Sequence, residues 1–329
     1  MRKMTFLLVG AAAALAACTT TETVNGPSAE AIGFGDAHLG YPTESRAVTE
    51  LDGNLATFQV FGQYTQNAGA PVQIFNNVEV SNASGSWTYT GGLRPWIEGA
   101  SYVFAAYAPA AATAPTVTAE GYLSWPNYDV SANQYDLIYA TQTATGQEAG
   151  SNTTVQFTFN HLLSIVNFTF ASSFGDADTK VAISNVTVSG VPSTATFTAN
   201  NSVTASGNIG GSWDKISDEK DYTLKIADIT TAEGKSSDNI VVIPQSVPAV
   251  TVSFTVNVTN AAGEPLVTDK TFTSTIPTGE VTAWTPGYKY NYVATITPAS
   301  VELDYIQFTV ASVEAWKDAA EGDQDLALQ

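Results

Sequence analysis

The chain has 329 residues, 12 basic and 31 acidic side chains, and a formal charge of −19. Arg94 is the only basic residue between Ala47 and Thr179, which excludes the basic surface that a nucleic acid or an anionic membrane requires. Two histidines and one cysteine are too few for a multi-histidine metal site, a cysteine zinc site or an internal disulfide. The composition therefore predicts no nucleic-acid partner, no metal and no cofactor.

The N-terminus predicts an export signal over residues 1–17. Arg2 and Lys3 give it a cationic start, and the apolar stretch Thr5–Ala17 follows. As a helix this stretch is about 20 Å long, shorter than a bilayer core of roughly 30 Å and typical of a signal peptide. It ends at Leu15-Ala16-Ala17-Cys18, which is similar to the lipobox of bacterial lipoproteins. We expect Cys18 to be lipidated and to anchor the precursor; an ordinary signal peptide with an incidental cysteine is the alternative.

Residues 18–46 are predicted to form a lipidated tether. Thr19–Ser45 is rich in Thr, Gly, Glu and Pro, a composition typical of linkers. One weak strand signal interrupts it at Ile32 and Phe34, since residues two apart lie on the same face of a strand.

Short apolar alternations separated by turn residues follow from Leu55 onward. Val166–Phe170 alternates strictly, and Val250–Val258 is the cleanest period-two pattern in the chain. These runs recur about every 8–12 residues without a sustained helical period, which favours antiparallel β-sandwiches. The polar stretch Ser172–Asp178 indicates a boundary. We therefore expect an all-β fold of two successive sandwiches, 47–175 and 176–316, before an acidic tail over 317–329.

Motifs that carry enzyme chemistry are missing from the sequence. It has no Gly-x-Ser-x-Gly elbow, phosphate loop or dinucleotide fingerprint. His161 is predicted to be a buried, hydrogen-bonded structural residue rather than a catalytic base. The Asp176/Asp178 and Asp323/Asp325 pairs lack the rest of a calcium loop. We therefore predict no catalytic residue and no enzyme activity.

Five stretches, in order across residues 47–316, resemble marks of the fimbrillin family, the type V pilins of Bacteroides-type bacteria. Trp96–Pro109 is similar to the family's W-x-x-G-x-x-Y-x-F-x-A-Y-x-P stretch, and Val155–Ile165 to its V-x-F-x-F-x-H-x-L-S-x-I strand. The other three are Asp136–Ala140, Ile243–Gln245 and Trp284–Tyr290.

The resemblance implies a subunit of a type V pilus built from two transthyretin-like β-sandwiches. Such subunits are exported as lipoproteins to the outer membrane, cut by a trypsin-like protease, and polymerised by strand exchange. The implied partners are copies of the same chain or other fimbrial subunits, and host or bacterial surfaces are the implied adhesion ligands. The implied location is the cell outer membrane and the fimbrium.

Arg46, followed by Ala47, is the predicted processing site. Of the other two arginines, Arg2 leaves with the signal peptide and Arg94 precedes Pro95, which blocks trypsin-like cleavage. A cut after Arg46 frees the rest of the chain from the lipid and removes the strand signal at Ile32 and Phe34, which makes that signal a candidate plug strand. A chance arginine in an exposed linker is the alternative.

The last strand is the predicted donor for exchange. Ile306, Phe308 and Val310 share one face of it, so they suit the groove of a neighbour with an open sheet edge. The apolar phase changes at Ala311-Ser312, which predicts a β-bulge. An ordinary edge strand of the second sandwich is the alternative.

The predicted function is a structural fimbrial subunit of the shaft. A tip or an anchor subunit is the alternative within the family, and an anchor would keep its lipid. Outside the family, the alternatives are a non-polymerising surface lipoprotein that binds glycans through exposed Trp or Tyr, and a β-sandwich hydrolase with two facing carboxylates. Packing in the core or at its rim is the expected role of the six tryptophans.

Overall fold

The computed structural model of the protein describes residues 30–40, 49–50, 55–83, 85–175, 178–204, 208–226, 229 and 234–316. The predicted signal peptide, the lipidation site Cys18, the cleavage site Arg46–Ala47 and the acidic tail over 317–329 lie outside the described residues, so they stay predictions.

The described part of the chain is almost entirely β-structure, which confirms the predicted all-β fold. Its elements in chain order are β1 (Phe34–Gly40), β2 (Thr49–Glu50), β3 (Thr57–Thr65), β4 (Val72–Ala83), β5 (Ser86–Tyr89), β6 (Ser101–Ala108), β7 (Thr116–Val117), β8 (Leu123–Asp129), β9 (Ile138–Thr145), β10 (Val155–His161), β11 (Ser164–Ser172), β12 (Lys180–Thr204), β13 (Asn208–Leu224), β14 (Lys235–Ser236), β15 (Ile240–Val242), β16 (Thr251–Thr259), β17 (Pro265–Thr275), β18 (Tyr288–Ile296), α1 (Pro298–Glu302) and β19 (Phe308–Ala315). Across the ranges given above, no helix is long and apolar enough to span a membrane.

The strands form three sheets. The first has the order β2-β1-β10-β9-β6-β3-β4-β5; the second has β14-β11-β18-β19, with β15 also on β11; the third has β17-β16-β12-β8-β7, with β13 also on β12. Most neighbours are antiparallel, as expected. The pairs β1–β10 and β11–β18 are parallel, an orientation that alternation within one strand does not reveal.

Alternating side chains of these strands build three hydrophobic clusters. One lies between the second and third sheets, where Phe168 and Phe170 face Val252 and Phe254. Another joins the first and third sheets through residues such as Tyr139 of β9 and Phe197 of β12. The remaining cluster lies within the first sheet, which curls until β1 contacts β5. Side chains of the first sheet therefore enclose one apolar interior.

Strand pairing crosses the predicted domain boundary at 175/176. Before the boundary, β11 pairs with β18 of the second half. After it, β12 pairs with β16 along Lys180–Ser189 and with β8 of the first half along Thr194–Thr198. One long strand thus contributes to the packing of both halves, and the division into two sandwiches at this position stays a prediction.

The predicted bulge in the last strand is present. Ser312 lies opposite Asn291 and Val310 lies opposite Tyr292, so Ala311 is the extra residue between two consecutive positions of β18. The change of apolar face that the sequence shows at Ala311-Ser312 therefore has a structural cause.

Candidate functional site

The segment 30–40, here called the plug, fills a groove in the first sheet. It enters antiparallel to the chain around Pro95: Ile32 N–H donates to Arg94 O at 2.7 Å, and Trp96 N–H donates to Glu30 O at 2.9 Å. It continues as β1, parallel to β10, with Phe34 opposite Val155. The plug therefore satisfies main-chain groups of two other segments.

Three plug side chains, those of Ile32, Phe34 and Ala37, belong to the interior of the first sheet. Ile32 is 1% exposed and Phe34 is 5% exposed. The ring of Phe34 lies within 5.3–6.4 Å of five other ring centroids, those of Phe58, Phe75, Tyr89, Phe104 and Phe157. Full burial of such a side chain contributes about 1.5–3 kcal/mol, so an empty groove would expose a costly apolar surface.

The carboxylate of Glu30 is held by a loop between β9 and β10. Its Oε2 accepts hydrogen bonds from Gly150 N–H at 3.1 Å, Asn152 N–H at 3.2 Å and Asn152 Nδ2 at 3.1 Å. The Asn152 side chain is the main cause of a pKa of Glu30 below its ordinary value; partial burial opposes this, and the two backbone N–H groups add to it. The loop is a built site for one carboxylate.

The side chain of Arg94 packs against aromatic rings and forms part of the groove wall. Its guanidinium lies 4.5 Å from the ring centroid of Phe75 and 5.3 Å from that of Tyr89, and Nε donates to Ile74 O at 2.5 Å. The hydroxyl of Tyr89 in turn donates to Ile32 O of the plug at 2.8 Å. Arg94 thus orders a ring that binds the plug directly.

The chain after the plug leads towards the predicted cleavage site. The last residues of β1 pair with β2, where Leu39 lies opposite Thr49 and His38 opposite Glu50. Arg46 falls between these two strands in sequence. Before any cut, the plug is therefore covalently continuous with the rest of the fold through the peptide that contains Arg46.

In the single chain, the three predicted donor residues pack against their own core. Ile306 is 5% exposed, Phe308 is 4% exposed, and Val310 is half-buried against the same cluster. Among the described strands, β19 pairs with β18 alone, at the end of the second sheet, which is away from the plug groove in the first sheet. This edge position means that β19 can leave without splitting the sheet between two other strands.

The end of β19 is fastened to the first sheet. Trp316 is fully buried, its ring stacks on His161 at 4.6 Å, and its backbone N–H donates to Gly287 O at 2.7 Å. His161 Nδ1 lies 2.7 Å from Asp136 Oδ1, and both side chains are buried. His161 is therefore a buried, hydrogen-bonded residue, as predicted.

The six tryptophans are all buried or half-buried, and Trp125 and Trp316 are the most enclosed. They pack in the core, which leaves none of them as an exposed sugar-stacking platform. Over the ranges that the structure covers, His, Cys, Asp and Glu form no group that could hold a metal ion.

Sequence reasoning identified Ile32 and Phe34 as a strand signal but missed the site for Glu30. The only available signal was an acidic residue two positions before Ile32, on the same strand face. Its partners Gly150 and Asn152 lie far along the chain in a polar loop, and nothing local links the two.

A family model described as fimbrillin-like matches residues 45–316 of this chain. Among solved structures, a fimbrial protein from Bacteroides vulgatus is similar over 87% of this chain and 99% of its own, with 19% identity and a TM-score of 0.52. Proteins assigned to cell adhesion are similar as well: one from Bacteroides uniformis over 87% of this chain and 99% of its own (18% identity, TM-score 0.54), and one from Bacteroides ovatus over 89% and 100% (20% identity, TM-score 0.54). The structural likenesses show a shared fold. No curated protein matches the chain.

Proposed function

The chain belongs to the fimbrillin-like family. From this premise we propose that it is a structural subunit of the shaft of a cell-surface fimbria, and that this fimbria serves adhesion. The proposal includes export as a lipoprotein through Cys18, cleavage after Arg46, and polymerisation by β-strand exchange. The partners are copies of itself or other fimbrial subunits, and the adhesion ligand is a host or bacterial surface. The location is the outer membrane for the lipidated precursor and the fimbrium for the cleaved subunit.

One observation carries the proposal: a segment on the N-terminal side of Arg46 supplies core side chains to the fold on the other side. Ile32 and Phe34 are almost fully buried in the first sheet. After a cut at Arg46, only non-covalent contacts retain the plug. Loss of a short segment to solvent is then favoured by the conformational entropy that the free peptide regains.

Plug release opens the groove for a strand of another copy. The edge of β10 along Val155–Asn160 loses its partner β1, and unpaired strand edges bind other strands. The C-terminal segment with Ile306 and Phe308 is an edge strand whose side chains suit an apolar groove. Donation replaces burial in the donor's own core by burial in the neighbour, so the exchange conserves most apolar contact.

Cleavage at Arg46 is tested with an arginine-specific protease on the full precursor. The wild type should yield a fragment that begins at Ala47 and should then form SDS-resistant ladders. Arg46→Ala should fold and remain monomeric, because its plug stays attached. Arg94→Lys is the matched control: it removes the other arginine of the mature chain and should still be cut after Arg46. Ladders from Arg46→Ala at the wild-type level would show that cleavage here is not the trigger.

A further inference from the structure

Two segments near opposite ends of the described chain carry the same pattern of side chains. In the plug it is Glu30-x-Ile32-x-Phe34, and near the C-terminus it is Asp304-x-Ile306-x-Phe308. In an extended strand this spacing places the acid, the isoleucine and the phenylalanine on one face. In the single subunit Asp304 lies in the turn after α1, with a φ of +56°.

The likeness continues beyond the phenylalanine. Ala37 and Leu39 follow Phe34 at the same offsets at which Ala311 and Val313 follow Phe308. In both segments the apolar positions thus change face, which requires an extra residue in the strand. The structure shows a register shift in each, between Phe34 and Ala37 against β10 and, one or two positions later in the alignment, at Ala311 against β18. In the groove the donor's irregularity must move to the plug's position. Strands that share an acid and an apolar spacing suit the same receptor.

We propose that the loop around Gly150 and Asn152 is a carboxylate-binding site for Asp304 of a second copy of this chain. The inference rests on the proposed strand exchange and adds the residue that sets the register of the joint. When the plug leaves, Gly150 N–H, Asn152 N–H and Asn152 Nδ2 lose Glu30 Oε2 as their acceptor. A carboxylate at the same position of the incoming strand can accept the same charge-assisted hydrogen bonds. Because the side chain of Asp304 is one methylene shorter than that of Glu30, the loop must move towards the strand to make them.

The same register places the apolar side chains. Ile306 takes the space of Ile32, and Phe308 takes the space of Phe34. The donor then runs parallel to β10, as the plug does. By the plug's register, Ser312 of the donor comes to lie opposite Thr158 of the acceptor, because His38 holds that position in the plug.

The donor differs from the plug at four positions between or beside the anchors, the first being Tyr305 in place of Ala31. Gln307 replaces Gly33, where an added Cβ meets only Thr154 Cγ2 at an ordinary 3.5 Å. Thr309 replaces Gly35, where an added Cβ comes within 2.6 Å of Thr154 Oγ1, so the Thr154 side chain must rotate. Val310 replaces Asp36 and adds an apolar group to the strand.

Asp304 is mostly exposed to solvent in the single subunit. Its side chain is 73% exposed and forms one ion pair, with Lys270 Nζ at 2.5 Å. Exposed pairs of this kind add little stability, and Lys270 also donates to Val301 O. Transfer of Asp304 to the loop of a neighbour therefore exchanges one solvated contact for three hydrogen bonds.

Disulfide trapping tests the register. Ser312→Cys chains are mixed with Thr158→Cys chains cut after Arg46, which also removes Cys18 from the acceptor. Facing Cα atoms of paired strands lie within disulfide range, so a covalent dimer should form on oxidation. The matched control replaces Thr158→Cys by Gln156→Cys, which is two residues away on the same face of β10 and should give no dimer. A dimer from the control pair instead would overturn the proposed register.

Charge variants test the carboxylate site in the same cleaved full-length protein. Asp304→Asn should slow polymerisation about tenfold, the effect expected for loss of hydrogen bonds to a charged group. Glu302→Gln, an acid two residues outside the pattern, should polymerise at the wild-type rate. Lys270→Gln breaks the ion pair of Asp304 and leaves the loop intact, so it should not slow assembly. Equal slowing in Asp304→Asn and Lys270→Gln would assign the effect to the donor's own ion pair and refute the site.

The outcomes separate this inference from the proposed function. If cleaved wild-type protein releases its plug but forms no polymer, and the Ser312→Cys and Thr158→Cys chains form no disulfide dimer, strand exchange fails, and the inference fails with it. If the wild type polymerises while Asp304→Asn assembles equally fast, strand exchange stands and the carboxylate site is wrong.

Discussion

At the scale of single residues, Phe34 joins the plug to the groove through five aromatic rings. Phe34→Ala should weaken the docking of the plug by about 3–5 kcal/mol, the usual cost of removing a buried phenylalanine side chain. The melting temperature of the uncut precursor should fall accordingly. The mature form is the control: after cleavage and plug release, the variant and the wild type have the same sequence and must melt alike. An unchanged precursor melt would mean that the plug does not stabilise the fold.

Glu30 gives the plug a pH dependence with a definite sign. Its pKa is lowered in the folded state, so its contribution is fully present above the ordinary value of about 4.5 and is lost as pH falls through the folded-state pKa. Plug release from Arg46-cut protein should therefore accelerate as the pH falls below about 4.5. Release rates of Glu30→Gln should lack this acceleration. The same acid response in both proteins would assign the effect to other carboxylates.

At the scale of strands, a change in the C-terminal segment should impair a chain as a strand donor and leave it intact as an acceptor. A Phe308→Ala chain should be a poor donor, because it lacks the side chain that enters the aromatic space. Its own groove is unchanged, so after cleavage it should still accept a wild-type donor. Mixing experiments with one labelled partner measure each role separately. Tyr305→Ala is the control, since Tyr305 is 59% exposed and should leave both roles intact. Loss of both roles in Phe308→Ala would indicate general unfolding instead.

Strands were predictable from sequence where one face is buried and the other is polar. Val250–Val258 shows this alternation, and β16 occupies Thr251–Thr259 with its apolar residues inside. The partner of each strand was not predictable. The alternation of Ile32 and Phe34 does not specify a parallel pairing with β10. The pattern within β12 likewise does not show that this strand continues from one half of the fold into the other. Pairing depends on contacts distant in sequence, which a local pattern does not encode.

The Glu30 site failed to appear in sequence for the same reason. Its donors are two backbone N–H groups and one amide in a loop more than a hundred residues away, and backbone donors leave no residue signature. Ile32 and Phe34 were predictable because burial of a strand face selects apolar side chains, whatever the partner.

At the scale of the whole molecule, the β12–β13 hairpin packs against both halves of the fold and so couples their stability. Phe197 of β12 is fully buried between Trp125, Tyr139 and Trp213, while earlier residues of the same strand pack with β16. Phe197→Ala should lower the stability by about 3–5 kcal/mol and shift a single unfolding transition. Calorimetry of the mature monomer checks this. Two separated transitions in the wild type would show that the halves unfold independently.

The parallel alignment of β1 with β10 fixes the direction in which a strand can occupy the groove. Under the proposed exchange, an occupant that must run parallel to β10 enters every subunit with the same orientation, so each joint is heterologous and repeats along an open line. The resulting filament has two chemically distinct ends, one with a vacant groove and one with an unused C-terminal strand. A subunit that escapes cleavage keeps its groove filled, yet still carries its last strand. Such a subunit can join only one end, and its arrival there stops growth.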